Sequence, residues 1–291
     1  MNTESPSLRV LIPYFGQWPF WMPLFLRSCE LNPGVTWVLF TDCGRPLHCP
    51  SNVEIRETSF QDYCQRVSSR LNIAFAPTEP YKLCDLKPTL GHVHEDELED
   101  CSHWAFGDID LVYGRLEAYL ASRDLKRFDV ISLHARRLSG HLTVLRNSPD
   151  MNGAFRRVKD WAAALESPMH CAFDEKAFSK VFLRHKNSPS WVRGFAALLD
   201  PWLTRADFEE AYTTPNAKIP WRDGSNDFPK EWYWQNGRVW NDRDREHCYP
   251  YLHFMNWKKH WAADQRFEVS QVCSNDALWT FTESGIQLSK D

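Results

Sequence analysis

Residues 8–42 read LRVLIPYFGQWPFWMPLFLRSCELNPGVTWVLFTD, and this stretch decides the fold class. Leu8 to Ile12 is a short apolar run closed by Pro13, the pattern of a buried strand. Phe20 to Leu31 follows, with Phe20, Leu24, Arg27 and Leu31 at helical spacing before Pro33-Gly34 stops the segment. Thr36 to Phe40 is a second β-branched and aromatic run, ended by Thr41-Asp42. Strand, helix and strand at these distances make a β-α-β unit with parallel strands, so the chain is expected to be α/β.

Further along, Val53 to Ile55 reads as a third strand, Ser59 as the cap of a helix over Phe60 to Leu71, and Tyr81 to Leu86 as helical, ending near Lys87-Pro88. Trp104 to Gly107 is apolar and runs into Asp108-Ile109-Asp110, after which Leu111 to Gly114 resumes the apolar pattern. Val130 to Leu133 and Leu142 to Leu145 read as strands, and Phe155, Val158, Trp161, Ala162 and Leu165 fall on one face of a helix. From Arg184 to Cys248 the text is irregular, although Asn236-Gly237 between aromatic runs marks a hairpin within Glu231 to Trp240. Tyr249 to Leu252 reads as a strand ending in His253.

The 291 residues include 43% hydrophobic and 25% charged, a globular composition that excludes disorder as the main state. The formal net charge is −4 and no Lys/Arg block offers a track for a phosphodiester backbone, so no nucleic-acid partner is expected. Nine Cys, odd in number and never in a CxxC pair, fit a reducing cytoplasmic setting better than a disulfide framework. Met1 to Leu8 carries no leader pattern, and the longest aliphatic run is far short of a transmembrane segment. The 14 Trp suit sugar faces and membrane interfaces as well as cores. Trp18 to Leu26 reads as a core-packed helix, with peripheral membrane contact as the alternative.

In open α/β sheets ligands bind beyond the carboxyl ends of the strands, which here carry Pro13-Tyr14-Phe15-Gly16, Thr41-Asp42 and Asp108-Ile109-Asp110. Tyr14 would stack on a base and Asp42 would accept hydrogen bonds from base or ribose, with a turn role as the alternative for Asp42. Asp-x-Asp at a strand end aims two hard oxygen ligands at one place, which suits Mg²⁺ or Mn²⁺ holding a diphosphate. The pattern alone is weak, since Asp242-Arg243-Asp244 repeats it in a charged loop. Asp108 and Asp110 differ in interrupting an apolar segment, where unpaired carboxylates are costly without a cation. Taken alone His253 reads as a hydrogen-bonded core histidine; beside Asp108 and Asp110 it would add an imidazole ligand, which favours Mn²⁺, and Lys258 or Lys259 would neutralise a leaving diphosphate. His92-x-His94 in an acidic segment reads as surface, and no Walker loop, GxSxG or HExxH motif occurs.

Tyr81 to Pro88, Trp104 to Gly114, Asp129 to Ser132, Leu145-Arg146-Asn147, Cys171 to Glu175, Trp234 to Val239 and His253-Phe254 with Trp257-Lys258 together carry a resemblance. The chain resembles bacterial polysaccharide-biosynthesis glycosyltransferase-like proteins of capsule and O-antigen gene clusters, within the GT-A superfamily of nucleotide-sugar transferases. The resemblance implies a single domain over 1–291, with a Rossmann-like open mixed sheet flanked by helices and an irregular, aromatic-rich C-terminal acceptor region. Residues 8–115 would be the nucleotide-sugar half, and 116–265 the acceptor half with the metal and phosphate motif. It implies Mn²⁺ (or Mg²⁺) on Asp108, Asp110 and His253, and a nucleotide diphosphate sugar donor transferring a hexose to a glycan or lipid-linked glycan. Pro13, Tyr14, Phe15, Asp42, Lys82, Asp85, Lys87, Asp108, Ile109, Lys258 and Lys259 would bind the donor. From His253, the glycogenin-like spacing is kept at Lys259 and Trp261 but has Asn256 in place of Gly. Asp174 and Glu175 lie where such enzymes place a sugar-binding or acceptor-activating carboxylate, with a helix N-cap as the alternative for Asp174. The segment Trp191 to Trp240 would shape the acceptor site. A sugar nucleotidyltransferase and a non-catalytic carbohydrate-binding protein are the rival readings.

Overall fold

A computed structural model of the chain describes residues 7–185, 187–215, 217, 219–262, 265–267 and 269–289. The leader reading rests on residues 1–8, of which 1–6 lie outside the described residues. Strand β1 (Leu8–Pro13) leads through helix α1 (Met22–Glu30) to β2 (Val35–Thr41), which lies parallel to it, and β3 (Val53–Glu57) extends the parallel set. Helix α1 buries Met22, Leu24, Phe25, Leu26 and Cys29, so the aromatic-rich stretch before it feeds a core helix rather than an exposed face. Helix α2 (Phe60–Leu71) starts at Ser59, whose side chain accepts from the Asp62 amide.

The chain then crosses to the other side of β1, where β4 (His103–Gly107) pairs in parallel. The short β5 (Leu111–Tyr113) leaves the sheet, and β6 (Val130–Ser132), β7 (Leu142–Arg146) and β8 (Ala206–Phe208) complete it in the order β3-β2-β1-β4-β7-β6-β8. β7 is antiparallel to both β4 and β6. The α/β class expected from residues 8–42 and the open mixed sheet implied by the resemblance are both present. Chain order reverses between β1 and β4, and such a switch point leaves a crevice at the carboxyl ends of those strands.

A four-stranded antiparallel sheet, β10-β9-β12-β13, is built from β9 (Trp232–Gln235), β10 (Arg238–Asn241), β12 (Leu278–Thr282) and β13 (Gly285–Ser289). Asn236 and Gly237, at φ of 44° and 74°, make the tight turn between β9 and β10 that the sequence predicts. Its inner face packs Trp232, Trp234, Trp279 and Phe281 with Trp221, Tyr249, Phe254, Trp257 and Trp261 into a separate core. Each such ring buried contributes about 1.5–3 kcal/mol.

Four sequence expectations differ. Residues 155–165 form no single helix: Ala154–Arg157 is a 3₁₀ turn and Trp161–Glu166 a separate helix, because Asp160 turns left-handed (φ 57°) and lets Trp161 pack edge-on against Phe155. The segment at Tyr81 does not stop at Pro88, since 3₁₀ geometry over Pro80–Thr89 accommodates the proline and continues into Leu90–Val93. The irregular stretch contains a helix, Ser190–Leu199, and strand β8. His94 is a core residue, stacked on Phe40 at 3.9 Å and hydrogen-bonded to the Tyr63 hydroxyl at 3.0 Å.

The strand β11 (Tyr251–His253) pairs antiparallel with β5, placing His253 opposite Leu111, one residue from Asp110. Gly114 lets the two chains approach: its amide donates to the Pro250 carbonyl at 2.8 Å, and a Cβ there would lie 2.3 Å from the Tyr249 oxygen. Gly114→Ala is therefore expected to lower stability by about 2–3 kcal/mol in urea unfolding. An unchanged midpoint would show that β5 and β11 part freely.

Candidate active site

Beyond the carboxyl ends of β1 and β4 lies a cleft of about 930 Å³. It is lined by Pro13, Tyr14 and Phe15 from the end of β1 and by Asp108, Ile109 and Asp110 from the loop after β4. Lys87, Asp174, Glu175, His253 and Lys258 line it as well. Ligating atoms of Asp108, Asp110 and His253 lie within 4.8 Å of one another, and among the described residues this is the one group of three or more metal-capable side chains. The charged-loop pair does not compete: Asp244 accepts from Trp221 Nε1 and the Tyr249 hydroxyl, and Asp242 accepts from the Lys230 amide.

The donor set fits a divalent cation. His253 Nδ1 is 3.0 Å from Thr214 Oγ1, so the ring presents Nε2 to Asp110, at 3.5 Å from Oδ1. That Nε2 is buried and has no hydrogen-bond partner. A buried ring nitrogen left beside a carboxylate is costly, and a cation shared with Asp108 and Asp110 satisfies all three. His141 stacks on His253 with centroids 3.9 Å apart, and its Nε2 lies 2.8 Å from the Tyr251 hydroxyl, which holds both rings in place.

Two lysines bracket the carboxylates. Lys258 Nζ donates to Asp110 Oδ2 at 2.7 Å, and Lys87 Nζ donates to Asp108 Oδ1 at 2.6 Å and to the Gly140 carbonyl at 2.8 Å. Burial works against ionising Asp110, but His253 and Lys258 outweigh it and hold the carboxyl well below the usual range. Burial likewise disfavours a charged Lys87, yet Asp108, Cys84 and Asp174 reverse the shift and raise it.

Asp174 is the second residue of a π-helical turn, Phe173–Phe178, capped by Ala172 at φ 52°; it is not an N-cap. Burial pushes its carboxyl up to about 7, against the pull of Lys87. A folded-state value above the ordinary 3.8 means that the folded protein keeps a proton the unfolded chain releases. Stability from this group is therefore full below about pH 4 and lost as pH rises through about 7. Thermal melts in EDTA should show that decline for the native chain and a flatter profile for Asp174→Asn. Equal slopes would place the titration elsewhere. Glu175, next along the turn, is 3.4 Å from Arg137.

Four of the residues expected to contact the donor lie outside the cleft lining. Lys82 and Asp85 are buried and form an ion pair at 2.9 Å, away from the cleft lining. Lys82 donates to the Ala164 and Met169 carbonyls, and Asp85 accepts from the Cys171 and Phe173 amides at 3.0 and 2.8 Å. This lock ties the 3₁₀ helix carrying Lys87 to the turn carrying Asp174. Lys259 is exposed and outside the lining, whereas Lys258 points in. Asp42 is exposed and likewise outside the lining, accepting from the Gly16 amide at 2.8 Å. Asn256 lines the cleft and donates to the Pro215 carbonyl at 2.9 Å.

The segment Trp191 to Trp240 reaches the cleft, but not through its indoles: Trp191, Trp202, Trp221, Trp232, Trp234 and Trp240 are absent from the lining. It contributes Glu210, Thr213 and Thr214 instead, while Trp232 and Trp234 are core. His134, Arg137, His141, Glu210 and Thr214 were missed by sequence reasoning, since each lies in a loop and is brought in by the β6–β7 and β8–β9 connections.

The chain matches the profile of a family described as "Family of unknown function (DUF6625)" over residues 10–280, and it belongs to that family. No curated protein matches it in sequence. Among solved structures it is similar to the galactosyltransferase LgtC in complex with donor and acceptor sugar analogues, at 8% identity and TM-score 0.44, covering 91% of this chain and 93% of that one. It is also similar to a glycosyltransferase involved in glycosylation of the PBCV-1 major capsid, at 11% identity and TM-score 0.39, covering 72% and 84%. Mouse xyloside xylosyltransferase 1 is similar at 8% identity and TM-score 0.37, covering 69% and 94%.

Proposed function

We propose that the protein is a metal-dependent glycosyltransferase of GT-A type that moves a sugar, a hexose by the sequence resemblance, from a nucleotide diphosphate donor to a surface polysaccharide or lipid-linked glycan. The observation that carries this reading is the Asp108, Asp110 and His253 set at the β1/β4 switch point, with Lys258 beside it in an open cleft. Asp108, Asp110 and His253 would hold Mn²⁺ or Mg²⁺, which supplies positive charge to the diphosphate.

The chain's own groups do the rest. Lys258, partly exposed, presents its ammonium to the departing phosphate, which is charge stabilisation by a preorganised cation. Lys87 fixes the Asp108 carboxylate from behind. Pro13, Tyr14, Phe15 and Ile109 wall the nucleoside end, and Asp42, held by the Gly16 amide, would accept from the base or ribose. Asp174, poised near neutrality, is the group suited to take the acceptor proton, with Glu175 and Arg137 positioning the sugar. In the transfer the acceptor oxygen bonds to the anomeric carbon, its proton passes to the carboxylate, and the carbon–oxygen bond to the diphosphate breaks with the electron pair leaving on phosphate. Residues 8–115 would form the donor half and 116–265 the acceptor half of one domain. A cytoplasmic setting suits a nucleotide-sugar donor, and among the described residues no helix is long and apolar enough to cross a membrane.

The test is release of nucleoside diphosphate from a panel of nucleotide sugars, with Mn²⁺ or with EDTA. Release from one donor only with Mn²⁺ is expected. Binding of free glycans in EDTA with no release from any donor would favour a carbohydrate-binding protein.

A further inference from the structure

We propose that the helix Ser190–Leu199 is a docking surface that lies flat on an anionic lipid bilayer. None of its residues is buried. Trp191, Phe195, Leu198 and Leu199 are 75%, 63%, 81% and 73% exposed, and their spacing places all four on one face. An apolar face of that kind, left in water, marks an interaction site.

Charge identifies what covers it. In sequence, residues 176–199 carry Lys176, Lys180, Arg184, Lys186 and Arg193 and not one Asp or Glu, in a chain of net charge −4. Lys176, Lys180, Arg184 and Arg193 are exposed. A second copy of the chain would bring two such cationic segments together, whereas anionic headgroups complement them. An exposed face of Trp, Phe and Leu, with Arg193 on the helix and exposed cations in the segment leading to it, is a composition that suits a helix lying in the plane of a membrane interface.

The helix is also firmly mounted. Asp200, at its end, lies 3.6 Å from Arg184 and 3.7 Å from Arg157. Trp202 follows, with the Arg157 and Arg205 guanidinium groups over its ring at 4.3 and 4.5 Å and with Phe182 against it. The apolar face is thus presented outward by a fixed base. This inference goes beyond the proposed transfer reaction and stands without it.

Co-sedimentation of the full chain with phosphatidylcholine vesicles, pure or containing about one third phosphatidylglycerol, tests it. The native chain is expected to bind the anionic vesicles and to be left in solution by the neutral ones. Trp191→Glu with Phe195→Glu should weaken binding about tenfold or more at an unchanged melting temperature. Lys176→Glu with Lys180→Glu should weaken it on anionic vesicles. No binding by the native chain, or equal binding by the aromatic variant, would overturn the proposal. So would a dimer in sedimentation velocity that the aromatic variant dissolves while vesicles fail to retain the native chain.

Discussion

Asp110→Asn is expected to reduce sugar transfer by about 10²–10³-fold and to abolish the Mn²⁺-dependent binding of the donor. Asp110 is buried, and its two oxygens are divided between Lys258 on one side and the His253 ring on the other. An amide of the same shape keeps the packing but has one acceptor oxygen instead of two and no charge to offer a cation. Lys258 then loses the partner that raises its affinity for a proton and orients its ammonium into the cleft. Steady-state rates with saturating Mn²⁺, beside a thermal melt showing that the variant is folded, check the prediction. Activity within a few-fold of the native chain would remove Asp110 from the chemistry.

The second large effect is on stability. Asp85→Ala should cost about 3–5 kcal/mol, because it leaves the buried Lys82 ammonium without its counter-charge. It also strips the Cys171 and Phe173 amides of their acceptor. Burial alone would raise the Asp85 carboxyl, yet these amides and Lys82 hold it below its ordinary value, so the group is committed to the charged form in the folded state. A double variant, Lys82→Met with Asp85→Leu, should recover much of the loss, since removing both charges leaves none unpaired. Urea unfolding of the three chains checks this. Equal destabilisation of single and double variants would mean that packing, not charge, sets the cost.

The parts of this account that were legible in the sequence depend on local pattern. The apolar runs of β1 and β2 around an amphipathic α1 give the parallel sheet, and Asp108 and Asp110 stand out because they interrupt buried text. His253 was legible as a strand end. The Lys82–Asp85 lock was not, because its meaning comes from backbone groups at Ala164, Met169, Cys171 and Phe173, some eighty residues away in sequence. Charges spaced as in an exposed helix read alike whether they face water or a distant carbonyl. Which residues of the Trp-rich segment face the cleft was hidden for a related reason, as an indole suits a sugar face and a protein core equally. For Trp234 it is the core, since its Nε1 donates to the Tyr113 carbonyl at 2.8 Å within the core packed on the four-stranded sheet. Residues 155–165 kept helical spacing, but the Phe155–Trp161 contact overrode it.

The central claim is that Asp108, Asp110 and His253 form a cation site that holds a nucleoside diphosphate. Isothermal titration of the full chain with UDP, GDP and dTDP, in Mn²⁺ and in EDTA, tests it most directly. The account predicts that one nucleoside diphosphate binds only with Mn²⁺ and that His253→Ala and Asp110→Asn abolish this binding. Equal affinity in Mn²⁺ and EDTA, or binding unaffected by either substitution, would contradict it.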